Sequence, residues 1–108
     1  MIENKKVGTK NDKGKLHIEL IPPEAITAMA KVLQNGAEKY GPRNWEVGIE
    51  YSREFAAAQR HLWMWWSGEN IDESGHSHLA HALSAVAILV ALEERCMKKF
   101  DDRPIVAK

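Results

Sequence analysis

The residues best suited to chemistry lie between positions 60 and 82, in the stretch RHLWMWWSGENIDESGHSHLAHA. Three acidic side chains, Glu69, Asp72 and Glu73, fall within one short turn of it. Clustered carboxylates repel one another unless a cation neutralises them, and hard cations such as Mg²⁺ and Mn²⁺ prefer oxygen ligands. We therefore predict that these acids, with help from Glu54, bind metal. The alternative is a solvated turn between two helices.

Three histidines accompany the acidic turn. His78 and His81 stand three positions apart and share a helix face, and His61 lies on the preceding helix. Such side chains can ligate a metal, transfer protons or bind an anionic substrate. Two other interpretations stay open. One is a transition-metal site, such as a zinc site, formed by the three histidines; the other is that they are hydrogen-bonded core residues.

Cationic and aromatic residues near the helix ends are the candidates for binding an anionic ligand. An arginine fork grips two phosphate oxygens and a lysine supplies a point charge, so Arg60 and Lys39 are predicted to neutralise phosphates. Trp45 is a candidate for stacking on a base, although aromatic residues at helical spacing more often belong to a core or an interface.

Several catalytic motifs are missing from the sequence. It has no G-x-S-x-G elbow, no Walker A loop, no G-x-G-x-x-G and no adjacent His-Asp pair. Any phosphate chemistry must then depend on metal ions and not on a glycine cradle.

Composition and charge limit the partners and the cellular location that we expect for this chain. The 108 residues carry 15 Lys+Arg and 15 Asp+Glu, so no uniform positive field attracts a nucleic-acid polymer. We predict a cytoplasmic protein without membrane contact. The sequence has one cysteine, no signal-like apolar N-terminus, and an apolar run too short to span a bilayer. We expect a single domain over residues 1–108, with 1–14 as a flexible arm.

Apolar spacing and capping signals predict an all-α bundle. We expect helices over Pro22–Tyr40, Ser52–Trp66 and Ser77–Lys99, with Ser52 capping the second. The short connection between the first two predicts that they are direct antiparallel neighbours. The third is apolar on most of its circumference, which predicts self-association into a dimer or tetramer. Alternatively, the segments LHIEL and DDRPIVAK cover it within one chain.

The ordered motifs GAEKYGPRNW, RHLWMWW, GENIDESG, HLAHA and DDRP resemble those of small phage proteins, the dATP/dGTP diphosphohydrolases. These are similar to the MazG-type all-α NTP pyrophosphatases. The resemblance implies an oligomeric helical bundle, with three to four helices per subunit and two or three Mg²⁺ or Mn²⁺ ions per site. The implied reaction converts dGTP, and dATP as well, to the monophosphate and pyrophosphate. In some phages such an enzyme supplies dGMP for the synthesis of 2-aminoadenine nucleotides.

Residues and resemblance together give a predicted site. Glu69-Asn-Ile-Asp72 spells the ExxD of MazG-type proteins, but in a turn, while His78-Leu-Ala-His81 occupies the helix position. The predicted catalytic residues are Glu69, Asp72, Glu73, His61 and His81, the metal ligands Glu54, Glu69, Asp72 and Glu73, and the substrate-binding residues Lys39, Asn44, Trp45, Arg60 and His78. The rival hypothesis is a non-enzymatic helical module that binds partner helices.

Overall fold

Three α-helices make up about half of the described part of the chain. A computed structural model describes residues 7–104, and within them the secondary structure is helical apart from one isolated bridge between Ile71 and Ser77. The helices are α1 (Pro23–Tyr40), α2 (Tyr51–Trp66) and α3 (His78–Glu94), joined by loops and short 3-10 turns. The predicted all-α fold is confirmed for this range. Of the predicted arm, residues 1–6 lie outside the described part, and residues 7–14 are exposed without helix or strand.

The helix starts follow local sequence signals. Pro22 is extended and Pro23 opens α1, where the missing amide of proline costs nothing because first-turn amides have no partner within the helix. Gly41 ends that helix at a φ of 92°, a conformation that favours glycine. At α3, the Ser77 side chain accepts hydrogen bonds from the backbone amides of Leu79 and Ala80. Each helix begins within one residue of its predicted start.

The predicted end of the third helix was wrong. The sequence pattern placed it at Lys99, whereas α3 ends at Glu94. Cys96 takes a left-handed conformation with φ of 55°, which α-helical backbone does not accommodate, and a separate 3-10 turn follows at Lys98–Phe100. None of the helices in the described part of the chain has both the length and the hydropathy needed to cross a bilayer.

The predicted cap of α2 was also wrong. Ser52 lies inside the helix, and its amide and hydroxyl both donate to the carboxylate of Asp102, with 2.8 Å from the amide nitrogen to Oδ1. The capping group thus comes from a residue fifty positions away, which local sequence cannot indicate. Next to this contact, the Phe100 ring lies directly against Gly48.

Helix α3 is the centre of the packing. It runs along α2 through small buried side chains, among them Ala58, Ala80 and Ala85, which allow a close approach of the two helices. It also contacts α1, while α1 and α2 hardly touch each other. The prediction that α1 and α2 are direct neighbours was therefore wrong. The gap between them, with α3 as its floor, becomes an open cavity.

One side of α3 is not covered by the described residues, 7–104. Leu79, Leu83, Val86 and Val90, which we call the α3 stripe, are 37–54% exposed. The LHIEL segment does not cover them, since Leu16 is 85% exposed, and the described part of the DDRPIVAK segment docks at the start of α2 instead. Residues 105–108 of that segment lie outside the described range.

Candidate functional site

A short hairpin-like turn places the acidic residues between α2 and α3. The amide of His78 donates to the carbonyl of Asn70 and the amide of Asp72 donates to the carbonyl of His76, each at 2.9 Å. Gly75 closes the turn: its backbone amide donates a hydrogen bond of 3.0 Å to the Asp72 carbonyl, and its φ is 85°. The backbone is therefore held at both ends of the turn, which fixes the direction of the Asp72 side chain.

Asp72 is held by the residue two positions after it. Its Oδ1 accepts from the Ser74 amide at 2.9 Å and from the Ser74 hydroxyl at 2.5 Å. Burial opposes ionisation of Asp72, but these two bonds, with the charge of His81, outweigh it and hold the pKa of the carboxyl below its ordinary value. The side chain is a carboxylate whose second oxygen, Oδ2, faces α3.

His61, Asp72 and His81 converge from α2, the turn and α3. One ligand atom from each lies within 4.8 Å of the other two, and this is the only such group of three among the described residues. Nε2 of His81 is 2.9 Å from Oδ2 of Asp72 and 3.0 Å from the Ser74 hydroxyl. The His61 and His81 rings stack with centroids 4.4 Å apart and an angle of 9°. We call these three residues the His-Asp cluster.

A second chain of contacts runs behind His61. Nδ1 of His61 is 2.9 Å from Nδ1 of His78, and Nε2 of His78 is 2.6 Å from Oε2 of Glu69. His78 is 4% exposed. It is therefore a buried link between Glu69 and His61, and we call Glu69, His78 and His61 the relay.

The protonation state of His61 is suitable for a side chain that ligates a metal ion. Burial lowers its pKa below the ordinary value, and electrostatic interaction with the neighbouring His81 and His78 rings lowers it further. At neutral pH the ring is uncharged and keeps one nitrogen lone pair, as a metal-binding imidazole must.

The cavity between α1, α2 and α3 has a volume of about 1320 Å³, enough for a nucleotide-sized ligand. His61 and His81 open onto it, and so do Lys39, Glu54 and Arg60. Within residues 7–104, Lys39 and Arg60 have no ion pair, whereas the other two cationic residues of the wall are paired: Arg43 with Glu46 and Arg53 with Glu50. Burial raises the pKa of Glu54, which favours proton uptake there.

Residues 5–103 of the chain match the family described as dATP/dGTP diphosphohydrolase, N-terminal. The chain belongs to this family. A protein of Salmonella phage PMBT28, named dATP/dGTP diphosphohydrolase, is 39% identical over 83 residues. That match covers 76% of this chain but only 28% of the phage protein. No solved structure matches the chain. The family resemblance predicted from the motifs is confirmed.

In this diphosphohydrolase-family chain, the predicted site residues fall into three places. His61, Asp72 and His81 form the His-Asp cluster; Lys39, Asn44, Trp45, Glu54 and Arg60 line the cavity; Glu69 and His78 lie in the relay. Glu73 is exposed and belongs to none of them. The three acids predicted to share a metal thus have different surroundings. Lys39 and Arg60 line one cavity within a single chain.

Two features of the site escaped the sequence analysis. Ser74 joins Asp72 to His81, and the pattern Asp-x-Ser is a known signal for a side chain that accepts from the amide two residues on. That signal could have singled out Asp72 from its acidic neighbours. The other feature is the Arg95 guanidinium, 4.9 Å from the centre of the Trp45 ring, which already occupies an aromatic surface predicted for base stacking.

Proposed function

We propose that this chain hydrolyses purine deoxynucleoside triphosphates, dGTP and dATP, to the monophosphate and pyrophosphate. The observation that carries the proposal is that the His-Asp cluster opens, through His61 and His81, onto the same cavity as the unpaired cations Lys39 and Arg60. Membership in the diphosphohydrolase family and the name of the phage relative support the reaction and the base class.

The cavity wall supports a polyphosphate as the ligand. A triphosphate carries several negative charges, and a lysine and an arginine free of carboxylate partners can meet its oxygens without breaking an existing ion pair. Asn44 and Trp45 belong to the part of the wall formed by the loop after α1, and a nucleoside stacking on Trp45 would have to share or displace the Arg95 guanidinium. The polar amide and the aromatic ring suit a purine base.

The donor atoms of the His-Asp cluster fit a divalent cation. Two imidazoles and one carboxylate form an incomplete ligand set, which leaves positions for water and phosphate oxygens. His61, Asp72 and His81 would hold the ion. When bound, it would neutralise phosphate charge and make a coordinated water more acidic. The described residues offer one such group, so any further ion of the two or three predicted would need ligands from the substrate and from Glu54.

The chain's own residues then have separate tasks. Arg60 and Lys39 draw the phosphates to the wall and offset the charge that develops on the leaving pyrophosphate. Glu54 lies seven residues before His61, about 10 Å along the same face of α2. Because its pKa is raised, Glu54 is suited to accept a proton from the attacking water. Ser74 and Glu69 keep the cluster's side chains oriented.

Association of subunits and the cellular setting are part of the proposal. The uncovered α3 stripe supports a homo-oligomer, a dimer or a tetramer. A nucleotide-hydrolysing protein of this family would act in the cytoplasm of a phage-infected cell, where it would lower dATP and supply dGMP. In a phage with modified DNA, that dGMP would enter 2-aminoadenine nucleotide synthesis.

The test is to incubate the purified chain with each dNTP and with GTP, in Mn²⁺, Mg²⁺ or EDTA, in water enriched in ¹⁸O. We expect metal-dependent dGMP and dAMP, with the label in the monophosphate because water attacks the α-phosphorus. Label in pyrophosphate would overturn the predicted site of attack. No turnover of any nucleotide would overturn the proposal and favour the rival, a helical module that binds partner helices.

A further inference from the structure

We propose that His61, Asp72 and His81 bind a divalent first-row transition-metal ion, of the class Mn²⁺ to Zn²⁺, in strong preference to Mg²⁺. The inference deepens the proposed function. The role of the ion in hydrolysis rests on that proposed function, whereas the binding of the ion does not. Mg²⁺ takes oxygen ligands almost exclusively, in a strict octahedron. Two of the three donors in the cluster are imidazole nitrogens, which suit softer ions such as Zn²⁺ and Fe²⁺.

The relay prepares His61 as a nitrogen ligand. The carboxylate of Glu69 can only accept, so Nε2 of His78 carries the proton between them, at 2.6 Å. In the tautomer that prepares the site, the His78 proton is on Nε2, and Nδ1 of His78 accepts the hydrogen bond from Nδ1 of His61, at 2.9 Å. These bonds leave Nε2 of His61 with a free lone pair on the side away from the relay. Metal-binding histidines commonly have their second nitrogen fixed by such a carboxylate-linked partner.

Asp72 is prepared as the oxygen ligand in the same way. Both bonds from Ser74 go to Oδ1, which leaves Oδ2 directed at Nε2 of His81, 2.9 Å away. The proton between these two atoms is the one that an ion would displace. Among residues 7–104, the further partner of these two atoms is the Ser74 hydroxyl, 3.0 Å from Nε2, so the exchange costs few hydrogen bonds.

The rings must move slightly to share an ion. A nitrogen lone pair lies in the plane of its ring, and the parallel stacking of His61 and His81 at 4.4 Å keeps the two planes apart. Binding therefore tilts one ring out of the stack. This movement gives the site a signature other than activity, because it changes the environment of ring protons that NMR observes.

The experiment measures metal binding in the absence of nucleotide. The stripped chain is dialysed against Zn²⁺, Co²⁺, Mn²⁺ or Mg²⁺ and its metal content determined by mass spectrometry, with Co²⁺ coordination followed by visible absorption and ring shifts by NMR. We expect one Zn²⁺ or Co²⁺ ion retained per chain, a shift of the His61 and His81 ring signals, and no displacement by excess Mg²⁺. Absence of retention, or competition by Mg²⁺ at similar concentration, would overturn the inference.

Variants separate the site from loss of folding. His61→Gln and His81→Gln should abolish retention, whereas the control His17→Gln, an exposed histidine outside the cluster, should keep it. Glu69→Gln leaves every ligand in place and should weaken affinity by about 10- to 100-fold. Circular dichroism checks the helix content of each. Retention unchanged in a folded His61→Gln or Glu69→Gln variant would contradict the assignment.

The two proposals can fail separately. If the chain retains Zn²⁺ or Co²⁺ through these residues but hydrolyses no nucleotide, the metal site stands and the proposed function falls. If it hydrolyses dGTP with Mg²⁺ alone, and His61→Gln does so too, the proposed function stands and the metal inference falls.

Discussion

Lys39 and Lys31 lie on the same helix but have different surroundings. Lys39 is in the cavity wall without an ion pair, and Lys31 is exposed and outside the wall. If Lys39 meets substrate phosphate, Lys39→Gln should raise the KM for dGTP by about 10-fold or more, the effect of losing one charge-assisted hydrogen bond. Steady-state kinetics measures this. Lys31→Gln, the same change on the same helix, should leave KM unaltered, and an equal effect of both would point to general electrostatics instead.

The sequence predicted which residue types would matter at the site better than it predicted their grouping. The i, i+3 spacing correctly put His78 and His81 near each other, yet His81 turns to the cluster and His78 to the relay. Which acid joins the histidines depends on the backbone of the turn: Asp72 is directed inward by Ser74, while Glu73, the next residue, is exposed. Spacing along a chain does not contain that information.

At the scale of the elements, replacing glycine by alanine should change the stability of the fold in opposite directions at two positions. A Cβ on Gly48 would lie 2.0 Å from the Phe100 ring at a φ of 114°, so Gly48→Ala should destabilise the fold by about 1–3 kcal/mol. Gly36 lies within α1 with nothing within 4 Å of a new Cβ, and Gly36→Ala should stabilise it by about 0.5–1 kcal/mol. Thermal unfolding compares both with the natural chain. Equal shifts would show that Phe100 does not pack on Gly48 in solution.

The distant cap of α2 predicts a pH dependence. Hydrogen bonds from the Ser52 side chain and backbone lower the pKa of Asp102 below its ordinary value of 3.8. A lowered folded pKa means that the carboxylate stabilises the fold fully above the unfolded value and stops doing so as pH falls through the folded one. Asp102→Asn should therefore lower Tm by a few degrees at neutral pH, and the difference from the natural chain should vanish well below pH 3.8.

Asp12→Asn is the control for this capping effect, since Asp12 lies in the exposed N-terminal segment. It should shift Tm little at any pH. A Tm difference for Asp102→Asn that persists unchanged into acid would show that the effect comes from packing and not from the charge.

Helices were predictable where the signal is local and unpredictable where it is not. Pro23, Gly41 and Ser77 act within one turn of their own position, and the boundaries they set agree with the structure. The cap of α2 depends on a tertiary contact, and α3 ends at Glu94, two residues before a left-handed Cys96, a conformation that the sequence around it does not favour.

The whole molecule is more extended than a closed domain of this length. Its radius of gyration is 18.7 Å, against about 13 Å for a compact chain of this size. Leu92 is the one large side chain described as fully buried, so the core within one chain is thin. Small chains bury a limited fraction of their surface and often gain stability by association. The apolar circumference of α3 predicted self-association from sequence, which stays a prediction, but it did not predict which side of α3 is exposed.

We predict that the chain forms an oligomer and that its subunits associate through the α3 stripe. Leu79, Leu83, Val86 and Val90 follow steps of four, three and four, the spacing with which two helices interdigitate. A charge buried at such an interface is costly, so Val86→Glu should convert the oligomer to a species near the chain mass of 12.2 kDa in sedimentation velocity. Leu20→Glu, a change at a 79% exposed apolar residue away from α3, should leave the oligomer intact. A natural chain that sediments as a monomer at high concentration would contradict the prediction, and assembly unaffected by Val86→Glu would place the interface on another face.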